Sequence, residues 1–166
     1  YGLRIYKNMP LIEPVETKEN LRIEELVIVV DTSYSTSGEL VKKFLRETFT
    51  ILSETDSFFR KRKIHIIQCD ELVHSDITVT GDTDIDILIN NFELAGGGNT
   101  DFRPAFEYVN NLIDTGEIKK LQGLLYFTDG KGKYPKKKMP YNTAFVFIDK
   151  LSETAVPAWA MKVSLE

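Results

Sequence analysis

The chain has 166 residues, of which 42% are hydrophobic and 11% aromatic, enough for one domain with a substantial core. The formal net charge is only −4, which gives no overall basic field for nucleic acid, and no apolar run approaches the length of a transmembrane helix. The single cysteine, Cys69, excludes a disulfide within the chain and fits a reducing compartment. Since no segment resembles a signal peptide, we expect a cytoplasmic protein.

Residues 1–23 are predicted to be a linker arm that leads from an upstream domain into the domain proper, residues 24–166. Residues 3–6 alternate between apolar and polar side chains and could add a short strand, whereas the prolines and polar residues that follow are typical of a linker. Because the chain starts at Tyr1 rather than Met, we expect it to be a piece of a longer protein.

The central prediction is a strand at Leu26–Val30, which has five apolar, mostly β-branched residues and is too short for a helix. Such a run is typical of a strand buried on both faces in a parallel sheet. It ends at Asp31, and Thr36 then begins a capping-box pattern that opens an amphipathic helix. Asp31, Ser33 and Ser35 are two residues apart, so an extended loop could turn their oxygens the same way, which suits Mg²⁺. The competing interpretation is that Asp31 and Ser33 only cap the helix.

The rest of the chain predicts further strands and helices. Strands at 63–68 and 72–80 are joined by a link too short for a crossover helix, so they should pair as an antiparallel hairpin at the sheet edge. Helices are predicted at 82–91 and from Pro104 onward, and strands at 123–128, 144–148 and 160–165. This order predicts an α/β fold: a doubly wound, mostly parallel central sheet with helices on both faces and one antiparallel edge strand, Rossmann-like in type.

Two more loops carry polar side chains beside these predicted elements. Gly96–Asp101 contains three consecutive glycines, which allow close backbone approach, followed by Thr100 and Asp101. Asp129 directly follows another buried strand. Alone, each loop has an ordinary explanation as a helix cap or a turn. Together with Asp31 they predict a site for a hard cation, whose few carboxylates leave an open position for an outside carboxylate or water.

These three loops resemble the metal-ion-dependent adhesion site (MIDAS) of von Willebrand factor A (VWA) domains, over about residues 24–166. D-T-S-Y-S spans residues 31–35, Thr100 lies in G-G-G-N-T-D, and Asp129 lies in Y-F-T-D-G. The resemblance implies a VWA-like fold that holds Mg²⁺ or Mn²⁺. It further implies that Ser33, Ser35 and Thr100 contact the metal directly, and that Asp31 and Asp129 do so directly or through water. An acidic residue of a protein partner would complete the coordination, so the site would be adhesive and not catalytic.

A closer resemblance is to the VWA-like C-terminal domain of predicted bacterial metal-dependent peptidases. It is carried by I-I-Q-C-D, G-N-T-D-F-R-P-A-F-E-Y-V, L-L-Y-F-T-D-G and V-P-A-W-A. This resemblance implies an upstream zinc-protease-like domain and an AAA+ ATPase as partners. The chain has no H-E-x-x-H motif, so this domain alone is not expected to be an enzyme. Asp101 fits this branch, either as an additional metal ligand or as a helix cap, and we favour the cap.

The main alternative is a Mg²⁺-dependent phosphatase of the haloacid dehalogenase type, which also places an aspartate after its first strand. That chemistry needs a second aspartate two residues later, where this chain has Ser33. A serine hydrolase is disfavoured because there is no G-x-S-x-G motif. A VWA scaffold that has lost its metal is the third alternative. Mg²⁺-dependent turnover of p-nitrophenyl phosphate that disappears in Asp31→Ala would contradict the adhesion hypothesis.

Four other residues have structural interpretations. His65 and His74 lack the cysteine pair or third histidine of the usual zinc patterns, so we expect them to be structural or exposed. Cys69 is expected to be a small buried residue without special reactivity. Trp159 is expected to pack at the edge of the sheet.

The last two expectations concern exposed loops. The loop after Asp129 is expected to be solvated, with steering of an acidic partner as the second possibility. Its basic residues are Lys131, Lys133, Lys136, Lys137 and Lys138. Because the Asp31 loop should lie at the surface, Asp31→Ala is expected to abolish metal binding and leave the fold intact.

Overall fold

The computed structural model describes residues 24–32, 38–53, 62–81, 83–128, 130, 132–147 and 156–164. The predicted linker arm lies outside the described residues. So do Ser33, Ser35, Asp129 and the predicted capping residue Thr36.

The elements follow one another in the predicted order, with six strands and three helices among the described residues. They are β1 (Glu24–Asp31), α1 (Gly38–Ser53), β2 (Arg62–Cys69), β3 (Val73–Val79), α2 (Ile85–Asn90), α3 (Arg103–Asp114), β4 (Leu121–Thr128), β5 (Asn142–Phe147) and β6 (Met161–Ser164). Helix α2 is shorter than predicted because the Asp84 side chain accepts a hydrogen bond from the Ile87 amide and caps it there. No helix in the described ranges is both long and apolar enough to cross a membrane.

The strands form one six-stranded sheet in the order β3-β2-β1-β4-β5-β6. Strand β3 is antiparallel to β2 at one edge, and the other neighbouring pairs are parallel, which confirms the predicted sheet. Strand β1 lies between β2 and β4, with Asp31 opposite Cys69 and Val30 opposite Phe127. The carboxyl ends of these three central strands therefore meet at one edge of the sheet.

Helices cover both faces of the sheet, as predicted. Residues 26–30 of β1 are all 0% exposed, and they alternate between the two faces. Leu26, Ile28 and Val30 pack with α1 and α2, whereas Val27 and Val29 pack with α3. Burial on both faces explains why this strand is an uninterrupted apolar run in the sequence.

The connection from β4 to β5 lies on the α3 face and contains no helix in its described residues. Tyr134 and Met139 of this connection pack on the core, and the Tyr141 hydroxyl donates to Asn110 Oδ1 of α3 at 3.0 Å. The connection therefore carries the chain from the carboxyl edge of the sheet to its amino edge while it covers apolar surface.

Candidate functional site

Asp31 is the last residue of β1, and it is completely buried. Its Oδ2 accepts a hydrogen bond of 2.5 Å from the hydroxyl of Thr128, the last residue of β4. The Thr128 hydroxyl in turn accepts a bond of 3.1 Å from the Gly130 amide. The expectation that Asp31 lies in a surface loop is therefore wrong, because its carboxylate belongs to the packed end of the sheet.

The glycine-rich loop crosses the ends of β1 and β2. The Gly97 amide donates to the Thr32 carbonyl at 2.8 Å, and the Asp101 amide donates to the Asp70 carbonyl at 3.2 Å. Gly96 has φ 123°, and a Cβ there would lie 2.7 Å from Thr32 Oγ1 and 2.9 Å from Asp70 Oδ2. Only glycine fits this position, which confirms the predicted close backbone approach.

Thr100 follows the glycines and borders the segment that comes after β4. The Phe102 amide donates to the Lys133 carbonyl at 3.0 Å, and a Cβ on Gly132 would lie 2.7 Å from Thr100 Cγ2. The loop that carries Thr100 therefore lies between the ends of β2 and β4.

Of the five predicted metal ligands, the structure describes Asp31 and Thr100, and it places both at the carboxyl edge of the sheet. Ser33, Ser35 and Asp129 are not described. Thr32, which precedes Ser33, lies at this edge, and so do Thr128 and Gly130, which flank Asp129.

The described donors fit a hard cation in chemical type. Asp31 supplies a carboxylate and Thr100 a hydroxyl, and oxygen ligands of this kind suit Mg²⁺ and Mn²⁺. Beside them, the buried Thr32 hydroxyl has no hydrogen-bond partner in the part of the chain that the structure describes. Within the same ranges, no three His, Cys, Asp or Glu side chains come together as a potential metal site. A metal site here would therefore depend on hydroxyl ligands, as the predicted set does.

Asp101 is bound by its neighbour Arg103. Its Oδ1 accepts from the Arg103 amide at 3.0 Å and from Nε at 2.9 Å, and its Oδ2 accepts from Nη2 at 2.8 Å. These bonds from Arg103 hold the pKa of Asp101 below its usual value. The carboxylate satisfies the first amide of α3, so the contacts support the capping interpretation of Asp101.

Asp70 is a site residue that the sequence analysis missed. It is buried, and its Oδ1 accepts from the Leu72 amide at 2.9 Å and from His74 Nε2 at 2.8 Å. Its Oδ2 accepts from the Gly98 amide at 3.0 Å. Burial raises the pKa of Asp70, but these hydrogen bonds outweigh it, and the pKa is lowered overall. In the sequence Asp70 lies in the short link between the strands predicted at 63–68 and 72–80, and nothing local identifies Gly98 as its partner.

Gln68, two residues earlier, was also missed. Its Nε2 donates to the Glu93 carbonyl at 3.1 Å, and its Oε1 accepts from the Ala95 amide at 2.7 Å. The buried amide thus bonds the backbone of the segment that leads into the glycine-rich loop.

The two histidines occupy separate structural pairs, as expected. His65 Nδ1 is 2.9 Å from Asp76 Oδ1, and the Tyr108 hydroxyl donates to Asp76 Oδ2 at 2.7 Å. His74 instead bonds Asp70. Cys69 is fully buried, which confirms the expectation of a small buried cysteine, and this burial raises the pKa of its thiol to about 12.

The described lysines after β4 are exposed, which confirms the solvated loop. Among the described lysines, Lys133 bonds the Thr100 loop through its carbonyl, which accepts from the Phe102 amide. Lys137 and Lys138 lie beside Ile113 and Asp114, at the far end of α3 and at the amino edge of the sheet. These two lysines therefore lie away from the candidate site, and the steering interpretation stays a prediction.

Trp159 packs edge-to-face against Phe106 of α3, with ring centroids 6.0 Å apart. It lies just before the edge strand β6, so its predicted packing at the sheet edge is confirmed.

The six-stranded sheet, its covering helices and its polar carboxyl edge define a Rossmann-type domain of the VWA class. Residues 26–166 match the family described as "VWA-like domain (DUF2201)", and the chain belongs to this family. The fold is also similar to that of the SpRpn10 VWA domain, with a TM-score of 0.56 and 14% identity over 86% of this chain and 88% of that one. Comparison with curated proteins gave no match. The predicted resemblance to VWA domains is therefore confirmed.

Proposed function

We propose that this domain is a metal-dependent protein-binding module. Its Mg²⁺ or Mn²⁺ would be held by Asp31, Ser33, Ser35, Thr100 and Asp129, and an acidic residue of a protein partner would take the remaining position. The observation that carries the proposal is that the Thr100 loop and the segment after β4 both lie at the carboxyl end of β1, where Asp31 is buried.

The chemistry of the donor set supports the adhesive role. The ligand set contains two carboxylates and three neutral hydroxyls. The two carboxylates would balance the two charges of a divalent cation and add no excess negative charge that would repel a further carboxylate. A site with hydroxyl ligands and an open position attracts a further carboxylate. In the chain itself, Thr128 fixes the Asp31 carboxylate, and Arg103 engages the nearby carboxylate of Asp101.

The wider context that we propose comes from the sequence resemblance. The domain would be the C-terminal part of a bacterial, cytoplasmic, predicted metallopeptidase. It would work beside an upstream zinc-protease-like domain and an AAA+ ATPase. Membership of the VWA-like family supports the domain class on which this context depends.

A titration with Mn²⁺ and Mg²⁺, in which binding is measured by calorimetry or Mn²⁺ EPR, tests the metal site. We expect one site in the wild type, loss of binding in Asp31→Asn and weaker binding in Thr100→Ala. Matched controls are Asp114→Asn and Thr115→Ala, at the exposed far end of α3, which should bind like the wild type. A wild type that binds neither ion would refute the metal site for the isolated domain.

The domain alone is proposed not to be an enzyme. We therefore expect no Mg²⁺-dependent hydrolysis of p-nitrophenyl phosphate by the purified domain. Turnover in the wild type that disappears in Asp31→Asn and persists in Asp114→Asn would replace the adhesive function by phosphoryl chemistry.

A further inference from the structure

We propose that Gln68 and Asp70 are positioning residues, which hold the glycine-rich loop so that Thr100 lies at the metal-binding edge. This inference rests on the proposed function. It gives a role to the Q-C-D sequence at the end of β2, which neither the predicted ligand set nor the adhesive chemistry uses.

The loop needs outside support because of its composition. Three glycines in a row lose more backbone entropy on ordering than other residues do, so the ordered loop is costly to form. The segment from Ala95 to Asp101 belongs to no helix or strand. Its position must therefore be fixed by bonds to neighbouring elements.

Gln68 holds the beginning of this segment. Its side-chain amide donates to the Glu93 carbonyl and accepts from the Ala95 amide. It therefore bonds one carbonyl and one amide of the backbone, as a residue of a neighbouring strand does. Since Gln68 is buried, loss of either bond would leave a buried polar group without a partner.

Asp70 holds the middle and the end of the segment. Its carboxylate accepts from the Gly98 amide, and its carbonyl accepts from the Asp101 amide, on either side of Thr100. The bonds from His74 and Leu72 to Asp70 Oδ1 fix the carboxylate itself in place. Asp70 therefore holds the loop in a fixed position relative to the β2–β3 hairpin.

The fit between Asp70 and the loop is tight. A Cβ on Gly98 would lie 3.0 Å from Asp70 Oδ2 and 3.1 Å from Glu71 Oε1, and a Cβ on Gly96 would lie 2.9 Å from the same Asp70 oxygen. A side chain at either position would therefore push against the hairpin, so this close approach of the loop depends on glycine.

The first test compares Asp70→Asn with Asp76→Asn. Both aspartates bond a histidine, but Asp76 bonds His65 and Tyr108 and does not contact the loop. In Asp70→Asn we expect the Gly98 amide to exchange with solvent about tenfold faster or more, and the Mn²⁺ affinity to fall by about tenfold or more. In Asp76→Asn both should stay within about twofold of the wild type. Exchange of β1 amides in each variant corrects for any change in global stability.

Two further variants protect the test against misfolding of Asp70→Asn. Gly98→Ala keeps every hydrogen-bonding group but pushes against Asp70, and Gln68→Glu replaces the donor to the Glu93 carbonyl by an oxygen. Both should weaken Mn²⁺ binding, whereas Gln122→Glu on β4 should not.

Failure of this inference can be told apart from failure of the proposed function. A wild type that binds Mn²⁺, with unchanged affinity in Asp70→Asn, Gly98→Ala and Gln68→Glu, would overturn the positioning role and leave the metal site standing. A wild type without Mn²⁺ binding, in which Gly98 exchange still responds to Asp70→Asn, would overturn the metal site and leave only the support of the loop.

Discussion

At the residue scale, burial decides which structural roles several polar side chains have. Asp31 was expected at the surface, but it is enclosed at the end of β1 and bonded to Thr128. A buried carboxylate that accepts a hydrogen bond from a hydroxyl stabilises the fold, whether or not it also binds a ligand.

We therefore expect Asp31→Ala to lower the free energy of unfolding by about 1–3 kcal/mol in metal-free protein, because the buried Thr128 hydroxyl loses its acceptor. Urea denaturation in the presence of a chelator measures this. Unaltered stability would show that the hydroxyl finds another partner, and would return Asp31 to a role in ligand binding alone.

The glycines of the loop also differ at this scale. Gly96 and Gly97 both have positive φ, but only Gly96 faces other atoms within 4 Å. We expect Gly97→Ala to cost about 1–2 kcal/mol from backbone strain alone, and Gly96→Ala to cost clearly more because a clash is added. Urea denaturation of the two variants compares them, and equal losses would exclude the close contact with Thr32.

At the element scale, polar bonds tie the β2–β3 hairpin to its neighbours. Asp76 of β3 joins His65 of β2 to Tyr108 of α3 in a partly buried chain of hydrogen bonds. Burial raises the pKa of Asp76, but the bonds from His65 and Tyr108 outweigh it and lower the pKa overall.

This lowered pKa predicts a pH dependence of stability. The stabilisation is complete above the ordinary aspartate value of 3.8 and is lost as the pH falls through the lower pKa of the folded state. Between pH 5 and 3, the free energy of unfolding should therefore fall less steeply in Asp76→Asn than in the wild type. Denaturant titrations across this range measure both slopes, and parallel curves would contradict the assignment.

At the scale of the whole molecule, the sheet separates two cores and brings three strand ends together at one edge. The described lysines at 137 and 138 lie toward the opposite edge. These two lysines therefore lie away from the candidate site, whereas Lys133 of the same loop bonds the Phe102 amide beside it.

A metal bound at the carboxyl edge should stabilise the whole fold, since it would bind only the folded chain. At a free Mn²⁺ concentration of 100 times the dissociation constant, the free energy of unfolding should rise by about 2.7 kcal/mol. A thermal shift or urea titration with and without Mn²⁺ detects this. The rise should be absent in Asp31→Asn and present in Asp114→Asn.

The sequence by itself determined the order of the elements, the antiparallel edge hairpin and the strand ends that carry polar residues. These features depend on local patterns, such as the apolar run at 26–30 and the short link between β2 and β3, which are complete within a few neighbouring residues. The glycines at 96–98 likewise predicted close backbone approach.

Only the tertiary structure decided which polar groups meet. Asp31 bonds Thr128, 97 residues away, and Asp70 bonds Gly98, 28 residues away. The burial of Asp31 and the support that Gln68 and Asp70 give to the Thr100 loop follow from the way parallel pairing and helix packing bring distant segments together. A hydrogen bond needs both partners within about 3 Å, and that proximity is created only when the sheet is assembled.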